Sequence, residues 1–185
     1  MKGNREDITP ALCRKLLRYD AATGKLFWLP RSAEFFSQGY WTAQASANRW
    51  NKLFAFKEAF TAIDVGGYRF GNIFQVPFKA HRVAWAIVHG EWPKYTIDHV
   101  DGNPVNNLMS NLRDVPQHIN SRNIPIKKSN KSGTTGVRKT SCGKRWIGQI
   151  KINYKTRARR FDTFEEAKAW RDKMRRASGF TDRHG

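Results

Sequence analysis

Ile97-Asp98-His99-Val100-Asp101-Gly102-Asn103 is the most informative run in the chain. Asn106-Asn107, Ser110-Asn111-Leu112-Arg113 and His118-Ile119-Asn120 follow it closely. An Asp-His pair, a glycine turn and several asparagines thus share one short span. Two strand-like pieces are expected, one around His99 and one around Asn111. Asp114 and Gln117 have the spacing of a capping box, which predicts a helix from about Val115 to Arg122 and places Asn120 on it. The expected unit is therefore ββα. Asp98 and Asn120 offer oxygen ligands, which suit a hard divalent cation such as Mg²⁺ or Mn²⁺ better than zinc. Histidine ordinarily titrates near neutrality, so His99, beside such a ligand, can take a proton from water. His118 is a rival ligand, although residues two apart on a helix point to different sides. Asn123, a turn later, is a further neighbour of the site.

Upstream, Thr9-Pro10 reads as an N-cap followed by proline in the first turn, with Leu12, Leu16 and Leu17 as an apolar stripe ending near Tyr19. Asp20 to Gly24 is turn-like, and Lys25 to Leu29 is a strand closed by Pro30. Residues 31–62 scatter Phe35, Phe36, Tyr40, Trp41, Trp50, Phe54, Phe56 and Phe60 among polar residues without a clear period. They read as irregular structure, with an aromatic-basic DNA arm as the alternative. Gly66-Gly67 opens a hairpin of Tyr68-Arg69-Phe70 and Ile73-Phe74-Gln75-Val76, turned through Gly71-Asn72. His81 to His89 is a short, mostly apolar helix stopped by Gly90 and Pro93. His81 is open between a phosphate contact and a scaffold position.

Downstream, the lysine-rich tract from Ile124 to Thr135 has little to bury and reads as a linker. Three strands are expected after it, over Gly136 to Lys139, Arg145 to Ile152 and Lys155 to Phe161. Thr163 and Glu166 then have the spacing of a capping box, and Ala167, Trp170, Met174 and Ala177 recur at helical spacing. In the second strand, Trp146, Gly148, Ile150 and Ile152 share the face expected against that helix. Arg145, Ile147, Gln149 and Lys151 share the other.

The 185 residues carry 34 Lys plus Arg against 15 Asp plus Glu, a formal charge of +19 that points to polyanionic partners. The excess is uneven: residues 1–120 hold 15 basic and 10 acidic side chains, residues 121–185 hold 19 and 5. With 39% hydrophobic and 13% aromatic residues, a wholly disordered basic tail is ruled out. No run of 18 apolar residues spans a membrane, and the N-terminus lacks the apolar stretch of a secretion signal. Cys13 and Cys142 build neither a disulfide framework nor a four-thiolate zinc site. A cytoplasmic protein facing nucleic acid is the expectation.

Residues 66–124 resemble the HNH (ββα-metal) endonucleases, in the branch common among phage and homing enzymes. The matching text is Ala80-His81-Arg82-Val83, His89-Gly90, Pro93, the run from Ile97 to Asn103, Asn106-Asn107, Ser110 to Arg113, and Asn120-Ser121-Arg122-Asn123. The resemblance implies that His99 is the general base and Asp98 the first metal ligand. It implies that Asn111 braces the loop carrying the base and that Asn120 fills the final ligand position, where many relatives place histidine. It also implies one divalent metal per active site, Mg²⁺ with Mn²⁺ as the alternative, and products with 5′-phosphate and 3′-hydroxyl ends.

Residues 132–180 resemble the apetala/ethylene-response-factor (ERF) type of DNA-binding domain. The text is Ser132-Gly133, Gly136-Val137-Arg138, Gly143 to Ile150 and Phe161 to Ala167. By strand parity and resemblance, Arg138, Arg145, Gln149, Lys151, Lys155, Arg157 and Arg159 are the expected DNA contacts, with arginine suited to guanine edges and phosphate. The expected class is α+β: a ββα-metal nuclease core plus a separate three-stranded antiparallel sheet packed on one helix. The expected modules are a helix/hairpin and aromatic-rich region over 1–62, the nuclease core over 63–124, a basic linker over 125–133 and the ERF-like domain over 134–185. The expected function is a metal-dependent homing-type endonuclease acting on double-stranded DNA, monomeric, with a dimer left open. The alternative is a non-catalytic, sequence-specific DNA-binding protein with a decayed core. An RNA-binding protein is disfavoured because the sheet lacks outward aromatic rows.

Overall fold

A computed structural model describes residues 4–120, 130, 132–152 and 155–180. The chain is mixed helix and sheet and divides into two compact units, residues 1–115 and 116–185.

In the first unit, helix α1 spans Pro10–Leu16, with the Thr9 hydroxyl accepting from the Leu12 N–H. The chain then passes without a loop into strand β1 (Leu17–Asp20), so Tyr19 belongs to a strand and not to the end of the helix. Strand β2 (Lys25–Trp28) returns antiparallel and pairs with β3 (Glu58–Ala59). The aromatic-rich stretch is not irregular throughout: helix α2 occupies Ala43–Phe54, capped by Thr42, and buries only Ala47. Strand β4 (Ala62–Ile63) leads into the hairpin of β5 (Arg69–Ile73) and β6 (Val76–Lys79).

That hairpin turns through Phe74-Gln75, at φ of 48° and 67°, and not through Gly71-Asn72. Gly71 has a different use: a Cβ there would meet the Phe60 ring and backbone at 3.0–3.2 Å. Helix α3 (Ala80–His89) ends at Gly90, whose φ of 81° is the left-handed conformation glycine adopts without a Cβ clash. Arg14 of α1 donates to the carbonyls of Ile87 and Val88, satisfying acceptors that the end of α3 leaves open. The small residues Ala80 and Ala84, with Val83, let α1 and α3 pack closely around Cys13, Leu16, Leu17, Leu26, Ile73 and Phe78. Full burial of each larger apolar side chain contributes about 1.5–3 kcal/mol. Strands β7 (Thr96–His99) and β8 (Leu112–Val115) complete the unit as an antiparallel pair.

The second unit opens with the short helix α4 (Gln117–Asn120), where Ile119 and Asn120 donate backbone N–H groups to the Pro116 carbonyl. Asp114 does not cap this helix. It lies in β8, and its carboxylate accepts from the backbone N–H groups of Lys94 and Tyr95. Strands β9 (Val137–Lys139), β10 (Trp146–Ile152) and β11 (Lys155–Phe161) form an antiparallel sheet in the order β11-β10-β9. Helix α5 (Phe164–Ala177) packs on it, opened by a full capping box between Thr163 and Glu166. A Cβ on Gly148 would strike the Ala167 carbonyl and the Trp170 ring at 2.9 Å, so this glycine permits the close approach of α5. Ala167 is fully buried as the helical spacing predicts, whereas Ala177 is exposed and Arg171 is buried in the inward stripe. Among the described residues no helix is long and apolar enough to cross a membrane.

Candidate active site and sheet face

The register of β7 and β8 sets Asp98 directly opposite Arg113 and His99 opposite Leu112. Directly opposed residues project to the same face of a pair. Arg113 therefore meets Asp98, with Nε at 2.7 Å and Nη2 at 2.6 Å from Oδ2. Asp98 is only 5% exposed, so the guanidinium compensates a carboxylate that burial would otherwise penalise.

The chain leaves β7 through a loop fastened chiefly by amides. Gly102 N–H donates to the His99 carbonyl, and Asn103 N–H donates to Asp101 Oδ1. The Asn111 side chain accepts from the Asp101 N–H at 2.9 Å. Its Nδ2 donates to Asp101 Oδ1 and to the Asn106 carbonyl at 2.9 and 2.8 Å. Burial pushes the Asp101 carboxyl up, but the donors from Asn103, Asn106 and Asn111, with His99 nearby, hold it below its ordinary value.

His99 is 4% exposed, and its Nε2 lies 3.1 Å from Oδ1 of the buried Asn107. An amide oxygen only accepts, so this contact is a hydrogen bond in the tautomer that carries its proton on Nε2, and that tautomer leaves Nδ1 as the acceptor nitrogen. Asn107 is itself fixed from the far side of the unit. Its carbonyl accepts from the Tyr19 hydroxyl, which in turn accepts from the Met109 N–H. Gly24, in the turn between β1 and β2, packs so closely that a Cβ would meet the Asn107 and Leu108 backbone at 2.7 Å. The His81 ring stands nearly perpendicular to His99 at 5.2 Å, and Tyr68 lies 5.2 and 5.7 Å from the two rings. Burial, then the neighbouring charges of His99, Arg82 and Lys79, push His81 down to about 3, so it is neutral near pH 7.

The structure thus brings Asp98, His99 and Asn111 together in the first unit. Asn120, half-buried on α4, falls in the second unit. Asn123 and Arg122 lie outside the described residues. Arg113, Asn107, Tyr68 and Tyr19 join the site without having been singled out as its members, and His81, open in the sequence between a phosphate contact and a scaffold position, stands beside His99. Arg113 and Asn107 stand within the motif text, and strand pairing would have paired Arg113 with Asp98. Tyr19 carries no sequence signal, because its contact spans the whole unit. Among the described residues no three His, Cys, Asp or Glu side chains cluster as a metal site.

On the C-terminal sheet, register corrects strand parity. Ile147 pairs with Arg138 and Arg160, Gln149 with Ala158, and Lys151 with Thr156. Ile150 pairs with Arg157, Gly148 with Arg159 and Ile152 with Lys155. Lys155, Arg157 and Arg159 therefore share the face of Gly148 and Ile150 that carries α5, although they remain exposed on the edge strand β11. The opposite face holds Arg138, Gln149, Lys151 and, unforeseen, Arg160. Arg145, just before β10, is ion-paired with Asp162 at 2.7 Å.

Residues 78–122 match the family model HNH_3, described as HNH endonuclease. Protein 3.8 of Escherichia phage T7 is 35% identical over 99 residues, covering 53% of this chain and 82% of that protein. The chain belongs to the Protein 3.8 family and carries an HNH endonuclease domain. The HNH match begins in β6, contains α3, β7 and β8, and ends beyond α4, so it encloses the residues described around His99 except Tyr19, Gly24 and Tyr68, and none of the C-terminal sheet. No solved structure matches the chain.

Proposed function

We propose that this chain is a metal-dependent DNA endonuclease of homing type, in which the HNH domain cuts and an ERF-like C-terminal sheet supplies the address. The observation that carries the reading is the fixed His99 imidazole, tied at Nε2 by Asn107 and adjacent to the Asp98–Arg113 pair. His99 Nδ1 takes the proton of a water as its oxygen attacks the scissile phosphorus. The bond to the 3′ oxygen breaks, and that oxygen takes a proton from a solvent water, leaving 5′-phosphate and 3′-hydroxyl ends. Asn111 holds the loop after His99 in shape during this step. Asp98 would hold one Mg²⁺, or Mn²⁺, from the first unit, and its carboxylate oxygens fit a hard cation. Such an ion would supply charge stabilisation for the phosphorane and the leaving oxygen. Double-stranded DNA is the partner, and a monomer nicking one strand at a time is the simplest assembly. The arginines and Gln149 of the open sheet face support duplex recognition. In a supercoiled-plasmid assay, wild type in Mg²⁺ should relax the DNA. EDTA, His99→Ala and Asp98→Ala should each stop it. Relaxation by His99→Ala at the wild-type rate would overturn the assignment.

A further inference from the structure

Arg31 is about nine-tenths buried and has no acidic partner among the described residues. Asn51 pins its backbone, accepting from the Arg31 N–H at 2.8 Å and donating to the Arg31 carbonyl at 2.9 Å. The guanidinium carbon lies 4.0 Å from the Trp50 ring centroid, 4.9 Å from Trp28 and 5.1 Å from Phe74. Its Nε is buried and makes no hydrogen bond. Burial lowers its pKa to about 10, which leaves it charged at neutral pH. Cation–π contact offsets part of the cost of burying that charge. The unmade hydrogen bond still asks for an anionic or carbonyl acceptor.

Arg31 lines an open cleft of about 550 Å³ with Trp28, Phe35, Trp50, Phe54 and Phe74, a size typical of small-molecule sites. The exposed amides of Asn72 and Gln75 stand at the same cleft. Aromatic faces take a flat ring of any sequence by stacking, a guanidinium takes phosphate, and amides offer donors and acceptors to a base edge. An apolar partner would not need the cation, and a bare anion would not need the rings. Stacked, paired bases cannot present their faces, so the nucleotide that fits is unpaired. The β5–β6 hairpin links the cleft to the cutting site: Tyr68 at its base touches His99, and Phe74 lies in its turn. Six strand residues span roughly 20 Å, the rise of about six nucleotides at ~3.4 Å each.

We propose that this cleft holds one unpaired nucleotide of the DNA substrate, its base between the aromatic walls and its phosphate on Arg31. The proposal rests on DNA being the substrate. The full chain, in EDTA, is titrated with a duplex carrying a single 2-aminopurine bulge and with the same duplex fully paired. Wild type should bind the bulged duplex at least about 5-fold more tightly and quench its tryptophan emission on doing so, as base stacking on an aromatic ring requires. Arg31→Met and Phe54→Ala should bring the two affinities within about 2-fold by weakening the binding of the bulged duplex. Phe54 is 44% exposed, so its removal spares the fold if Arg31→Met does not. Equal affinity of wild type for both duplexes, or a preference that survives in both variants, would overturn the proposal. So would free deoxyadenosine monophosphate binding as tightly as the bulge, which would make this a mononucleotide site. A chain that cleaves DNA but ignores the bulge loses this inference alone. One that prefers the bulge but never cleaves loses only the nuclease reading.

Discussion

His99 depends on Asn107 for its tautomer and on Asn111 for the shape of the loop that follows it. Both dependences run through hydrogen bonds of 2.8–3.1 Å. If His99 is the general base proposed above, that fixed orientation keeps the attacking water in line, and its loss costs rate more than affinity. Asn107→Ala should lower single-turnover cleavage by roughly 10- to 100-fold while DNA affinity stays within about 2-fold. Unchanged cleavage would mean that Asn107 only packs. The Asp-His pair and Asn111 were legible in the sequence because their spacing is local to one hairpin. The Tyr19–Asn107 bond was not, since it joins residues that only the packing of β1 against the loop brings together.

Element boundaries were legible where a cap fixed them. Thr9, Thr163 and Gly90 each sit where the pattern places them. Helix α2 was missed because it buries only Ala47 and so shows little apolar period. Its remaining signals are the Thr42 cap and an alanine-rich start. The turn at Phe74-Gln75 was misplaced because glycine at 71 serves close packing on Phe60, while two bulky residues take the left-handed conformation. Strand β11 failed for another reason: nearly every side chain on this edge is polar and exposed, so alternation carries no information and only register assigns faces. If the open sheet face grips the duplex, Arg138→Ala and Arg160→Ala should each weaken binding by roughly 3- to 10-fold or more, the scale of a lost arginine contact. Arg157→Ala and Arg159→Ala should weaken it less, as read by anisotropy titration at one fixed salt concentration. The reverse ranking would place the DNA on the helix side.

Across the whole chain, charge and chemistry divide between the units. The first holds 15 basic and 10 acidic side chains together with Asp98, His99 and Asn111. The second holds 19 and 5, with the sheet whose outward arginines and Gln149 are suited to a groove. A phosphate-gripping surface raises affinity for any DNA, whereas base contacts confine cutting to an address. Base reading by the sheet would therefore give discrete breaks and not a smear. The most direct measurement is sequencing of break ends on phage and bacterial genomic DNA, incubated in Mg²⁺ with wild type or His99→Ala. The predicted result is one or a few sites bearing 5′-phosphate and 3′-hydroxyl ends with wild type, all absent with His99→Ala. Tight duplex binding without breaks in Mg²⁺ or Mn²⁺, or the same breaks with His99→Ala, would contradict it.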